Sequence, residues 1–192
     1  MTLLIVGLVL FLGTHSVRVF ADDWRTRQVR RLGEPAWKGL YTAVSLAGFA
    51  LLVWGYSRAR LEPTVLWASP LWVRHVAGLL MVPALILLVA AFVPGNAIRA
   101  RLGHPMLLGT KVWALAHLLA NNTLADLLLF GGFLVWAVLC FRAARARDRA
   151  ASLVRAPGRA GPTIASVVAG LALWAALAFW AHAMLFGVRP FG

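Results

Sequence analysis

Six long apolar stretches with little charge inside them dominate the chain and restrict its fold more than any other feature. A helix needs about 20 consecutive apolar residues to cross the hydrocarbon core of a bilayer. Alternating strand patterns are absent, which argues against a membrane barrel. The sequence therefore predicts an all-α integral membrane protein, a single transmembrane domain over residues 1–192. About six transmembrane helices are expected, at residues 2–20, 39–56, 71–93, 106–120, 124–141 and 163–186.

The composition agrees with a membrane protein. The chain is 61% hydrophobic and 13% charged, whereas soluble domains carry about 25% charged residues. Its net charge of +13 would suggest nucleic acid in a soluble protein. Here the cations flank the apolar stretches and no nucleic-acid-binding motif accompanies them, so we expect contact with the lipid bilayer and its anionic head groups, and no nucleic acid.

The distribution of Lys and Arg predicts the orientation. The connections after the first, third and fifth helices hold fifteen of the 19 Lys and Arg when Arg18 and Lys111 are counted with them, and the opposite side holds four. Cytoplasmic loops are enriched in these residues, so the N and C termini are both predicted outside. The stretch Met1–Leu10 contains no Lys or Arg, so we expect a retained first helix and no cleaved signal peptide.

Ionisable side chains inside the apolar stretches are the candidate functional residues, because burying them in lipid is costly. His15, His117 and His182 lie in three different stretches, and His104 lies near a helix end. We expect Thr14 or Ser16 to orient the ring of His15, and a backbone carbonyl one turn earlier to orient that of His117.

Other ionisable residues have simpler explanations. Lys111 needs a partner for its charge, either a lipid phosphate, a haem propionate or the interface that it reaches by snorkelling. His75 is interpreted as interfacial. Asp126 is interpreted as solvated, because it lies close to the turn at Asn121 and Asn122.

The three histidines leave four interpretations open: haem iron held between helices, another metal, a proton relay, or hydrogen bonds that join helices. Neutral imidazoles among Trp, Phe and Leu suit a haem with two histidine ligands. A thiolate site is not expected, because Cys140 is the one cysteine.

Three strings of residues resemble the NnrU family. They are Gly13-Thr14-His15-Ser16-Val17-Arg18, the run from His104 to Asn122, and the ending from His182 to Pro190. The resemblance covers nearly the whole chain. It implies a multi-pass protein of the bacterial inner membrane, linked to nitrite and nitric oxide metabolism in denitrification.

The family is also similar to the zeta-carotene isomerase, a membrane enzyme that uses haem b for a redox-dependent cis–trans isomerisation. This similarity implies haem b as the cofactor, with His15 and His117 as ligands of its iron. It leaves open whether the chain is an enzyme, an isomerase or an oxidoreductase, and what lipid-soluble molecule it would bind. Ala114 stands where the isomerase has a cysteine, so chemistry that needs that thiol is not expected.

Depth in the membrane argues for other pairs of ligands. His15 is predicted near the cytoplasmic end of its helix and His117 nearer the outer end, an offset of roughly 10 Å at 1.5 Å per residue. Depth alone would pair His15 with His104, or His117 with His182. The resemblance makes His15 and His117 the first choice, with His104 and His182 in reserve and Lys111 as a further cofactor contact.

Two other functions compete with haem binding. One is a non-catalytic membrane factor that assists the assembly of a reductase. The other is a membrane methyltransferase using S-adenosylmethionine, because the run from His104 to Gly109 resembles the His-Pro-x-Tyr-x-Gly signature of those enzymes. Leu107 replaces the tyrosine of that signature. The oligomeric state cannot be read from the sequence.

Overall fold

A computed structural model describes residues 1–191, and its regular structure is helical. Within these residues no strand forms, and the only β pairings are two isolated bridges. The prediction of an all-α fold is thus confirmed. The helices are α1 (Thr2–Phe20), α2 (Asp22–Leu32), α3 (Glu34–Ala59), α4 (Trp72–Ala90), α5 (Ala97–Leu102), α6 (Pro105–Ala120), α7 (Leu124–Ala150), α8 (Ala160–Ala176) and α9 (His182–Phe186), with a π-helical turn at Leu177–Ala181 between the last two.

Within residues 1–191, five helical segments are long and apolar enough to cross a membrane, so the chain is a multi-pass membrane protein. They are Thr2–Phe20, Glu34–Ala59, Trp72–Ala90, Leu124–Ala150 and Ala160–Phe186. The sixth predicted span forms α6, which has 16 residues and is therefore about 24 Å long. A bilayer core is about 30 Å thick, so a sixth crossing stays a prediction, as does the orientation.

The basic connections contain more helix than the sequence predicted. Residues between the first two spans form α2, whose first turn holds Asp22 and Asp23 and whose last turn holds Arg30 and Arg31. Negative charge at the N-terminal end and positive charge at the C-terminal end interact favourably with the helix dipole, so these residues stabilise the helix. Likewise α7 continues past its predicted end at residue 141, through a segment rich in Ala and Arg, both of which are strong helix formers.

The contacts divide the chain into two compact units. Unit one comprises Met1–Trp67 and Thr123–Trp136. In it α1 packs along α3, and the helices approach closely at glycines. A methyl group added at Gly7 would overlap the backbone of Leu52, and one added at Gly48 would overlap the backbone of Phe11. Small residues at such positions are typical of helix pairs in membranes.

Unit two comprises Ala68–Asn122 and the residues from Ala137 onwards. Here α4 packs against α6 and α8, again at glycines, because Gly109 faces the backbone of α4 at Ala84 and Gly170 faces it at Ile86. The side chain of Asn96 is buried and donates to the carbonyls of Ala90 and Val93. It therefore ties the end of α4 to the start of α5.

Candidate functional site around His15

His15 lies on α1 with its ring fixed by its own helix. Its Nδ1 is 2.7 Å from the carbonyl oxygen of Phe11, and a carbonyl can only accept, so Nδ1 carries the proton. The neutral ring then has its lone pair on Nε2. No hydrogen bond to Nε2 occurs within residues 1–191. The Nε2 atom of His15 can therefore donate its lone pair to a metal ion or accept a hydrogen bond.

Aromatic rings from three helices surround His15. Its ring centroid lies 4.4 Å from that of Phe11 on the same helix, 5.4 Å from that of Tyr41 on α3 and 6.3 Å from that of Trp136 on α7. The Trp136 ring is nearly perpendicular to the imidazole, at 87°. The sequence points to His15 but not to Tyr41 or Trp136, because no local motif shows which faces of apolar helices meet.

Two buried polar atoms near this site have no hydrogen-bond partner among the described residues. They are the indole nitrogen Nε1 of Trp136 and the hydroxyl oxygen of Ser45. Ser45 lies between Tyr41 and Gly48 on one face of α3, the face that meets α1. Because an unsatisfied buried polar group costs about 1–3 kcal/mol, such groups call for an explanation such as a bound water or ligand.

A cavity of about 380 Å³ opens beside His15. Its walls come from α1, α2 and α3, and its interior combines the rings of His15, Trp37 and Tyr41 with charged groups. The charged groups are three cations and one carboxylate, namely Arg18, Arg25, Lys38 and Glu34. The cavity thus offers an imidazole, aromatic surface and a positive balance of charge.

The second predicted ligand, His117, lies on α6 in unit two with a similar arrangement. Its Nδ1 is 2.8 Å from the carbonyl oxygen of Trp113, so the proton again lies on Nδ1 and the lone pair on Nε2. The rings of Trp113 and His117 are in contact, with centroids 5.1 Å apart. Asn121 donates to the His117 carbonyl at 2.8 Å and so closes the end of α6.

The reserve ligand His104 belongs to an ionic cluster of unit two. Its Nε2 is 2.8 Å from Asp148 Oδ2, and Arg155 donates to the same oxygen. Lys111 lies over the ring of Phe141, with Nζ 3.7 Å from the ring centroid, and the rings of His104 and Phe141 are nearly perpendicular. Lys111 therefore has a cation–π partner that the sequence did not suggest.

The remaining ionisable residues occupy separate surroundings. The Nδ1 of His182 is 2.7 Å from the Val188 carbonyl oxygen, directly after the π-helical turn. His75 is exposed and meets the ring of Phe191. Asp126 is buried, with 5% of its surface exposed, so its interpretation as solvated is wrong.

Asp126 is buried because neighbouring groups satisfy its carboxylate. It accepts hydrogen bonds from the hydroxyl of Tyr56, from the Thr123 amide at 3.1 Å and from the Thr123 hydroxyl at 2.6 Å. In return the Thr123 hydroxyl accepts from the Asp126 amide at 3.2 Å. This reciprocal pair is a capping arrangement at the start of α7, and the spacing Thr-x-x-Asp is the sequence signal that could have revealed it.

No group of three or more His, Cys, Asp and Glu that could hold a bare metal ion occurs within residues 1–191. The candidate donors are instead single imidazoles. The family described as NnrU protein matches residues 3–190. Comparisons with curated proteins and with solved structures find no match. Because the family match extends over nearly the whole sequence, the chain belongs to the NnrU protein family.

Proposed function

We propose that this NnrU-family protein binds haem b in the bacterial inner membrane, and that His15 would hold the iron. The observation that carries the proposal is the hydrogen bond from His15 Nδ1 to the Phe11 carbonyl. Histidines that ligate metals usually donate their other ring nitrogen in this way, which fixes the tautomer and the ring orientation. His117 has the same bond to Trp113 and is the expected second ligand.

The residues around His15 are of the chemical types that a porphyrin needs. A haem needs one or two protein donors, since its macrocycle supplies the other four, so single imidazoles suffice. Aromatic rings of Phe11, Tyr41 and Trp136 adjoin the imidazole, and apolar and aromatic linings are typical of cofactor sites. The indole N–H of Trp136 and the hydroxyl of Ser45 are polar groups available to a bound molecule.

Haem would supply one-electron redox chemistry at this site. Within the membrane that chemistry would serve nitric oxide metabolism or the isomerisation or oxidation of a lipid-soluble molecule. The chain's own contribution is to hold each imidazole by a hydrogen bond from Nδ1 to a backbone carbonyl and to place aromatic rings beside it.

Histidine variants test the ligand assignment. His15→Ala and His117→Ala should each lower haem retention or shift the spectrum from low spin towards high spin. His75→Ala is the matched control, since its ring lies exposed beside Phe191, and it should change neither property. Haem per chain is measured at equal yield of detergent-purified protein.

The assignment fails if both His15→Ala and His117→Ala keep wild-type haem content and a low-spin spectrum. His104→Ala and His182→Ala complete the series. Loss of haem in both His15→Ala and His104→Ala, or in both His117→Ala and His182→Ala, with retention in the other two variants, would assign the ligands by depth in the membrane.

A further inference from the structure

We infer that Arg18 and Arg25 bind the propionate carboxylates of a haem whose iron is held by His15. This inference rests on the proposed function, since it assigns residues to a second part of the same cofactor. Neither the sequence nor the family match assigns a role to these two arginines, which form the positively charged end of the site. The case rests on the cavity beside His15, on the charges that line it and on the position of α2.

The charges of the cavity are unequally paired. Lys38 lies 2.8 Å from Glu34, so these two largely neutralise each other. Arg25 lies 3.8 Å from Asp22, a distance too long for a hydrogen bond. Arg18 has no ion pair among the described residues. The one carboxylate of the cavity, Glu34, therefore leaves the lining with an excess of positive charge, carried by Arg18 and Arg25.

Arg18 and Arg25 lie at the polar end of the cavity, where the charged groups of an amphiphilic ligand would be expected. Arg18 follows His15 by three residues on α1, so the two share a helix face. Arg25 and Val29 reach the cavity from α2, a helix with no buried residue that follows the first membrane span. The cavity thus runs from an imidazole within a span to one guanidinium group near the end of that span and another on a polar helix.

Haem matches this gradient of polarity. Its macrocycle is apolar and its two propionates leave from one edge, so it fits a site that is aromatic at one end and cationic at the other. Guanidinium groups bind carboxylates through paired, charge-assisted hydrogen bonds. Arg25 is half-buried and Arg18 is exposed, so water should screen the contact made by Arg25 less than the contact made by Arg18.

A comparison of two porphyrins tests the inference on the full-length chain in detergent. The chain freed of haem is titrated with haem b and with the dimethyl ester of haem b, which lacks the carboxylate charges. The wild type should bind haem more tightly than its diester. Arg18→Gln with Arg25→Gln should weaken haem binding by roughly tenfold or more and leave the binding of the diester unchanged.

Arg27→Gln with Arg31→Gln is the matched control, because it removes two charges from exposed residues of α2 outside the cavity lining. It should retain the wild-type preference for haem. Binding of the diester by every variant reports that the site is folded. The inference is overturned if the first pair of substitutions weakens both porphyrins equally, or neither, or if the control pair has the same effect as the first.

The outcomes separate this inference from the proposed function. If the wild type takes up neither porphyrin, the haem proposal and the inference fall together. If it binds both porphyrins equally and His15→Ala abolishes that binding, haem ligation stands and only the role of the arginines is wrong. If the Arg18→Gln, Arg25→Gln variant keeps the wild-type preference for haem but loses binding of anionic lipid, the two arginines bind lipid phosphates instead.

Discussion

The two histidines of the first and fourth predicted spans owe their ring orientation to backbone carbonyls. For His117 the predicted carbonyl one turn earlier is confirmed, at Trp113. For His15 the predicted partners, Thr14 and Ser16, are wrong, because each hydroxyl donates to its own helix at 2.6 Å. Adjacent side chains on a helix point about 100° apart, whereas the carbonyl one turn earlier lies beneath the ring.

The buried carboxylate of Asp126 gives a prediction about single-residue stability. Tyr56→Phe removes one of its three hydrogen-bond donors while keeping the ring. An unpaired buried acceptor costs about 1–3 kcal/mol, so the free energy of unfolding in detergent should fall by about that amount.

Ser57→Ala is the control for this change. Its hydroxyl is exposed and donates to the Val53 carbonyl of the same helix, so its removal should alter stability by no more than about 0.5 kcal/mol. Equal effects of the two substitutions in denaturant titrations would show that the Tyr56 bond to Asp126 does not stabilise unit one.

The helices α1 and α3 approach so closely that particular positions must be glycine. A methyl group on Gly48 would overlap the Phe11 backbone, whereas one on Gly39 of the same helix would meet nothing within 4 Å. Phe11 also carries the carbonyl that orients His15. Close packing of α1 on α3 thus determines where the imidazole lies.

Alanine substitutions at these two glycines should have opposite effects. Gly48→Ala forces the helices apart and should lower the free energy of unfolding by about 1–3 kcal/mol. Gly39→Ala replaces a helical glycine in open space and should raise it by about 0.5–1 kcal/mol. Thermal unfolding of the purified variants measures both, and a stable Gly48→Ala protein would contradict the described approach of α1 to α3.

Helix positions were largely predictable and helix ends were not. Apolar length alone placed the spans, because lipid requires it. It gave no signal for α2, which holds six charged residues among its 11, or for the continuation of α7 to Ala150. Both segments depend on charge at helix ends and on helix propensity, which a search for apolar runs ignores.

For the whole molecule, the unequal distribution of Lys and Arg predicts the topology. Fifteen of the 19 lie on the side assigned to the cytoplasm. A reporter active only in the cytoplasm should therefore work when fused after Arg149, and a periplasmic reporter should work when fused after Gly192. Reversed or equal activities at the two positions would refute an arrangement with both termini outside.

At this scale the candidate site could be predicted only in part. His15 and His117 stand out in the sequence, because ionisable residues in apolar stretches are rare. Tyr41, Ser45 and Trp136 do not, since helices that are apolar on all sides give no sign of which face meets a neighbour. Arg25 gives no signal for a different reason: it lies on α2, where the sequence predicts only a connection between two membrane spans.

Haem binding is the central claim, and an absorption spectrum tests it most directly. The full-length protein is expressed in cells supplied with haem precursors, purified in detergent, and measured before and after reduction with dithionite. Two histidine ligands should give a low-spin haem b, with a Soret band that sharpens on reduction, and about one haem per chain. A well-folded protein obtained at good yield with no Soret band would contradict the account, and hydrogen bonding would then be the whole role of these histidines.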